Sequence, residues 1–467
     1  MRQFKILGVA MAAALLVAAC GGGGGDGNQS PAVSFTSVVS FGDSLSDAGS
    51  YKVGPIAASG GGMFTVNGIT GALGADPTPS YNWAQLVSAA ATGKVSCAAH
   101  TGGFGVARSA LVAGCTNYAQ GGSRVTDPKG VGNTVGAGYI TGPMTEPVAT
   151  QIANFAADGG KFTGKELVTV LAGANDLFGA TDALKTAATA AGGTALATSL
   201  VTQLVAGAPA ANQAAAQGAI GLAIQTEAAK TTATATTIIT AAVTAAATHA
   251  ATNGYVNTAT ANAATIGATA GAAATTAAST YAATTGAATA MTSMATAATA
   301  LATSVKGMLA SGAKYVLVVN IPDVSQTPMA LATITYNADG TVKDNSQQKL
   351  VLALTTQFNT TLQTALNGTA GVVFVDAFAE NQRQLADPAH YALTNVKNVA
   401  CNLTQPGNIL ATSTTTADGS SLVCNSKNVI AGDTSHYLFA DSVHPTPYGH
   451  KLLAQYAIQK LVFAGWL

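Results

Sequence analysis

Four short runs of apolar, largely β-branched residues punctuate this 467-residue chain: Val38–Phe41, Leu167–Leu171, Tyr315–Asn320 and Val372–Val375. None shows the polar–apolar alternation of a strand with one wet face, so each predicts a strand covered on both sides. The cover is supplied by helical patterns at Tyr81–Ala91, Thr145–Ala157, Gln347–Leu366 and Pro447–Phe463. A fifth, shorter strand candidate lies near Cys115–Ala119. Strand and helix in alternation predict an α/β chain folded as a three-layer α/β/α sandwich around a parallel sheet. Such sheets gather ligands at the carboxyl ends of their strands, and the first three runs end there in polar motifs.

One stretch breaks the alternation. From about residue 180 to 300 Ala and Thr dominate, and no Lys, Arg, Asp or Glu occurs between Lys230 and Lys306. Thr, Asn and Gly interrupt it too often for a membrane span. Ala favours helix while Thr and Gly weaken it, so several helices packed through small side chains are expected. Ala287–Ala310 reads as the core helix before the Tyr315 strand. The remainder, about 181–286, reads as an insertion in a single domain covering 34–467, and a tolerated low-complexity expansion is the simpler account of it than a dedicated binding module.

The N-terminus gives an address. Arg2 and Lys5 precede an apolar stretch, Ile6–Ala19, too short to span a bilayer comfortably. Leu16-Val17-Ala18-Ala19-Cys20 resembles the bacterial lipobox, which makes 1–20 a lipoprotein signal peptide, Cys20 the lipidated residue and 21–33 a flexible Gly-rich tether. The expectation is an exported lipoprotein held to a membrane by its N-terminal lipid, the alternative being an ordinary cleaved signal peptide with an incidental cysteine and a secreted protein. Gly21, in place of an inner-membrane-retaining aspartate, favours the outer membrane. Charge agrees: 20 basic residues balance 20 acidic ones and charged residues are only 9% of the chain. That excludes nucleic acid as a partner held by charge. Setting Cys20 aside leaves Cys97, Cys115, Cys401 and Cys424, four cysteines with three possible pairings. Proximity favours Cys97–Cys115 and Cys401–Cys424. No CxxC pair or His/Cys cluster points to a metal.

Four polar stretches carry the chemistry. "GDSLSD" at 42–47 turns abruptly out of the first strand and offers two serines, Ser44 and Ser46, either of which is a nucleophile or a capping residue. Asp441 and His444 stand three residues apart in "ADSVHPTPYGH" at 440–450, where a turn brings the carboxylate under one imidazole nitrogen and leaves the other free to take a hydroxyl proton. His436 and His450 are nearby rivals with no acid so placed. Gly121 and Gly122 let a loop turn an N–H inward, and Asn175, just past the second strand, aims an amide at the same point. Asp176 reads as the cap of the following turn.

These blocks, in this order, resemble the GDSL esterase/lipase family, also called SGNH hydrolases: Gly42-Asp43-Ser44-Leu45, Gly121-Gly122, Gly173-Ala174-Asn175-Asp176 and Asp441-Ser442-Val443-His444. The spacers "SDAGS", "YNWAQL", "QIANF" and "GAKYVLVVNIPDVSQTP" are similar too. The resemblance implies a flavodoxin-like sandwich with a five-stranded parallel sheet. It implies Ser44 as nucleophile, His444 as base, Asp441 as its orienter, and an oxyanion hole from Ser44 N–H, Gly122 N–H and the Asn175 side chain, with Gly121 the adjacent alternative. Ser44 is then expected at a strand-to-helix junction, with Ser46 and Asp47 capping the helix. No cofactor is implied. The substrate is an ester, acyl or lipid, with phospholipids and glycan O-acetyl groups as alternatives served by the same residues. The competing class is a surface binding or adhesion lipoprotein on the same scaffold. Only a few residues follow the closing helix, unlike the autotransporter esterases of the family with their C-terminal β-barrel, so anchoring is expected to fall to Cys20.

Overall fold

The structure, a computed structural model, describes residues 33–68, 79–133 and 141–467. The proposed leader with Cys20 lies outside them. Strands β1 (Ser37–Gly42), β2 (Glu166–Leu171), β3 (Tyr315–Val319) and β4 (Val372–Val375) form one parallel sheet in the order β1-β2-β3-β4. Gly42 pairs with Leu171, Leu171 with Val319, and Val319 with Val375, so the four strands end in one row.

Successive side chains point to opposite faces, and both faces are dry. Val39, Phe41, Val168, Val170, Val316 and Val318 pack on helices α2 (Val148–Ala157), α7 (Ala287–Ala310) and α8 (Ser346–Leu366). Val38, Leu167, Leu171, Leu317 and Val319 pack on α1 (Trp83–Thr92), on Ala377 at the start of α9 (Ala377–Ala386) and on α10 (Pro447–Phe463). The three-layer α/β/α expectation therefore holds. Among the described residues the sheet has four strands, and the fifth that the resemblance implies is not among them. The segment after Cys115 runs beside β1, with Ser40 N–H donating to Thr116 C=O and Tyr118 N–H to Ser40 C=O. It forms only isolated bridges to Ser40 and Ala98. The Cys97–Cys115 disulfide at one end and the turn at Gly121 at the other leave it too short for a ladder. The second disulfide is Cys401–Cys424, so both expected pairings are present.

The Ala/Thr-rich stretch is helical. Helix α3 (Ala174–Val205) begins at the end of β2 and runs on for 32 residues, about 48 Å at 1.5 Å per residue. After α4 (Gln213–Ala228) and α5 (Ala235–Thr252), α6 (Ala263–Tyr281) packs along α3, where Gly192 faces Ala274 and Ala278. A π-helical turn at Ala282–Gly286 joins α6 to α7. Many threonines lie on exposed faces and donate their hydroxyls to the carbonyl four residues back, as Thr292, Thr296 and Thr303 do, which satisfies each hydroxyl within its own helix. Leu196, Leu200, Leu204, Ile220, Ile224, Val243 and Ile266 form a core of their own, apart from the sheet's. Among the described residues, no helix is long and apolar enough to cross a membrane.

Candidate active site

The row of strand ends positions every group of interest. At the end of β1, Gly42 comes so close to β2 that a Cβ would lie 2.3 Å from the Leu171 carbonyl oxygen. Gln151 of α2 clasps both backbone groups of Gly42: its Oε1 accepts the Gly42 N–H and its Nε2 donates to the Gly42 C=O, each at 2.8 Å. Residues 43–50 then form turns, not a helix. This corrects the expected strand-to-helix junction. Asp47 collects the amides of Gly49, Ser50 and Gly121, which holds the backbone away from helical bonding, while Ser46 Oγ accepts from the Trp83 indole. Among the described residues, no helix begins at Ser44.

Ser44 is 8% exposed. Its Oγ lies 2.8 Å from His444 Nε2, and His444 Nδ1 lies 2.8 and 2.9 Å from the two carboxylate oxygens of Asp441. The Asp441 carboxylate also accepts the backbone amides of Ser421, Val443 and His444. Burial by itself raises the pKa of Asp441, but the His444 charge, the His444 hydrogen bond and these amides outweigh it and hold the carboxyl well below the usual carboxylate range. A permanent carboxylate thus fixes the imidazole tautomer and turns Nε2 toward the hydroxyl. Phe64 packs its ring on His444 with centroids 4.8 Å apart. Such a chain can pass a proton from serine to histidine without moving a heavy atom.

The loop after Cys115 is tied to the same turn. Gln120 N–H donates to Gly42 C=O, and Gly121 N–H donates to Asp47 Oδ2 at 2.9 Å. Gly122, with φ +81°, adopts a backbone conformation that side chains disfavour, and a Cβ would meet the Val131 carbonyl at 2.6 Å. Neither Gly122 N–H nor Ser44 N–H finds an acceptor among the described residues. Asn175, in the first turn of α3 and 5% exposed, spends one amide hydrogen on Ser123 C=O at 2.9 Å and keeps the second. Asp176 does not cap its own helix as expected; its Oδ2 accepts the Val125 amide and so fastens the same loop to α3.

The rival histidines are differently placed. His436 donates its Nδ1–H to Ala392 C=O and stacks on Tyr448. His450 is fully buried in α10, and burial pushes its pKa down to about 3. Among the described residues, no three His, Cys, Asp or Glu side chains are grouped to hold a metal ion.

A cleft opens over Ser44 and His444, lined mainly by apolar side chains that include Leu45, Phe178, Ile321, Val324, Phe439 and Leu453. Asp323, Glu380 and Gln384 are among its polar members. Residue-by-residue reading of the sequence missed Phe64, Gln151 and the hub role of Asp47. For Gln151 and Asp47 the signal was present only as the spacers "QIANF" and "SDAGS", whose function lies in contacts across the fold; Phe64 lies in neither.

No curated protein matches the chain. A family model described as GDSL-like Lipase/Acylhydrolase matches residues 38–282 and 266–457, nearly the whole of the described structure. The chain therefore belongs to the GDSL-like lipase/acylhydrolase family, whose members' common chemistry is the hydrolysis of esters.

Proposed function

We propose that the protein is a serine esterase/lipase that cleaves carboxylic esters through an acyl-enzyme. His444 Nε2 takes the Ser44 proton as Oγ attacks the ester carbonyl, and the carbonyl π electrons move onto oxygen. The resulting oxyanion is held by Ser44 N–H, Gly122 N–H and the free amide hydrogen of Asn175. Gly122 takes this part in preference to Gly121, whose N–H is already committed to Asp47. His444 returns the proton to the leaving alcohol, then activates a water that releases the acid and frees Ser44.

The observation that carries this reading is the unbroken contact chain Ser44–His444–Asp441, two hydrogen bonds of 2.8 Å between residues 400 and 3 positions apart. The apolar cleft favours an acyl chain over the acetyl groups of glycans as the part recognised. Hydrolysis of p-nitrophenyl esters of increasing chain length by wild type and Ser44→Ala tests both points. Activity is expected only in the wild type; activity retained in Ser44→Ala removes the mechanism, and none in either promotes a binding lipoprotein instead. Asn175→Ala is expected to lower kcat about a hundredfold or more; an unchanged rate removes Asn175 from the hole.

The address belongs to the same proposal. Arg2, Lys5 and the lipobox-like run ending in Cys20 support a lipid anchor in the outer membrane. Palmitate labelling of the wild type, lost in Cys20→Ser, is the expected result.

A further inference from the structure

The two consecutive glycines at 121–122 raise a physical difficulty for any oxyanion donor placed there. A Gly–Gly peptide rotates between opposite orientations at little steric cost, because neither flanking residue has a Cβ to forbid the alternative. An N–H on such a peptide is a dependable donor only if something else fixes the plane. In a trans peptide the C=O of Gly121 and the N–H of Gly122 point in opposite directions, so holding one aims the other.

The group that holds it is Tyr51. Its hydroxyl lies 2.7 Å from the Gly121 carbonyl oxygen, and the Thr145 amide donates to the same hydroxyl at 3.1 Å. Because the phenol oxygen accepts from Thr145, its own hydrogen is left for Gly121. The ring is fully buried, set edge-on to Phe64 and Phe104 with centroids 6.1 and 5.5 Å away. On the other side of Gly121, Asp47 Oδ2 takes its N–H. Gly121 is thus gripped at both ends, and the Gly122 N–H is turned to the opposite side of the peptide plane, where no acceptor among the described residues meets it.

We propose that Tyr51 is a positioning residue for ester hydrolysis: its hydroxyl locks the Gly121–Gly122 peptide so that Gly122 N–H stays directed at the developing oxyanion. The bond to the carbonyl also polarises the peptide and strengthens its N–H as a donor. Burial, reinforced by the neighbouring Asp47 and Glu146 carboxylates, pushes the phenol pKa well up, so the hydroxyl remains a donor at every working pH. The role rests on the oxyanion hole described under the proposed function.

Tyr51→Phe keeps the ring and deletes the hydroxyl. With p-nitrophenyl butyrate, kcat and kcat/KM are expected to fall together by about tenfold or more while KM stays within about twofold, the signature of an interaction made only in the transition state. The inhibition constant of n-butylboronic acid, whose serine adduct places an oxygen in the hole, is expected to rise by a similar factor. KM and the inhibition constant do not depend on how much of a preparation is folded, so lost stability cannot imitate this pattern. A folded variant with kcat and boronate affinity within about twofold of wild type overturns the proposal, as does one in which only KM changes, or a chain that does not fold at all, which makes the hydroxyl a fold determinant. Asn175→Ala, assayed alongside, separates the two levels. If it loses turnover while Tyr51→Phe does not, the clamp alone fails. If Asn175→Ala keeps full turnover, the oxyanion reading falls and takes the clamp with it.

Discussion

Asp43 sits beside Ser44 with one carboxylate oxygen on the Leu45 amide and the other buried without a hydrogen-bond partner among the described residues. Burial, only partly countered by the Leu45 amide and the His444 charge, raises its pKa to about 7, and Asp176 is raised to about 7 chiefly by burial as well. Between the ordinary carboxylate range and pH 7 the folded chain therefore holds protons that the unfolded chain releases. Stability falls as pH rises through that window. Asp43→Asn removes one such group, so its melting temperature is expected to exceed that of wild type at pH 8, with the gap closing toward pH 4. A gap independent of pH removes Asp43 as a source of the effect. At this scale the sequence was legible where chemistry and spacing coincide: Asp441 and His444 are three apart, and the structure joins them. It was illegible where a residue acts through a partner distant in sequence, as Tyr51 does on Gly121. Ser46 and Asp47 were misjudged because a local cap and a cross-loop anchor use the same side-chain oxygens.

The elements behind the site are held by identifiable local devices. Thr446 starts α10: its Oγ1 accepts the Gly449 amide and donates to Tyr437 C=O, in the short strand Tyr437–Phe439 that leads into Asp441. Thr446→Ala is expected to cost about 1 kcal/mol, read by chemical unfolding, with an additional loss of kcat because the cap lies two residues from His444. The Cys401–Cys424 disulfide closes a loop across 23 positions that also presents the Ser421 amide to Asp441. Replacing both cysteines with serine is expected to remove roughly 3 kcal/mol and to weaken hydrolysis by loosening that amide. Equal stability with and without reductant in wild type argues against the first effect. The four main strands were legible because each is apolar on both faces, and α10 began and ended where its Pro447 and apolar period implied. The segment after Cys115 was not, since composition marks a strand candidate but not whether its neighbours leave room for a ladder.

At the scale of the whole molecule, the Ala/Thr-rich helices have their own apolar core and meet the sheet domain through α3 and α7. Joining Gly192 to Ala274 through a short Gly/Ser turn, where α3 and α6 touch, removes that distal core entirely. The shortened protein is expected to keep its sheet, by circular dichroism, and most of its p-nitrophenyl esterase rate; loss of both indicates that the distal helices are needed to hold α3 and Asn175. A low-complexity stretch hides such a role, because Ala and Thr report helix but not which helix touches which. One long-range feature remains consequential. Ser44 follows the first strand by two residues, whereas His444 stands 400 residues later, just ahead of the last helix. If Ser44 and His444 act as proposed, an incomplete or partly unfolded chain holds a serine with no base, and is chemically silent toward every ester it meets until the final segment docks. Activity is thereby a report of completed assembly, and its appearance during refolding times the closure of the longest loop in the protein.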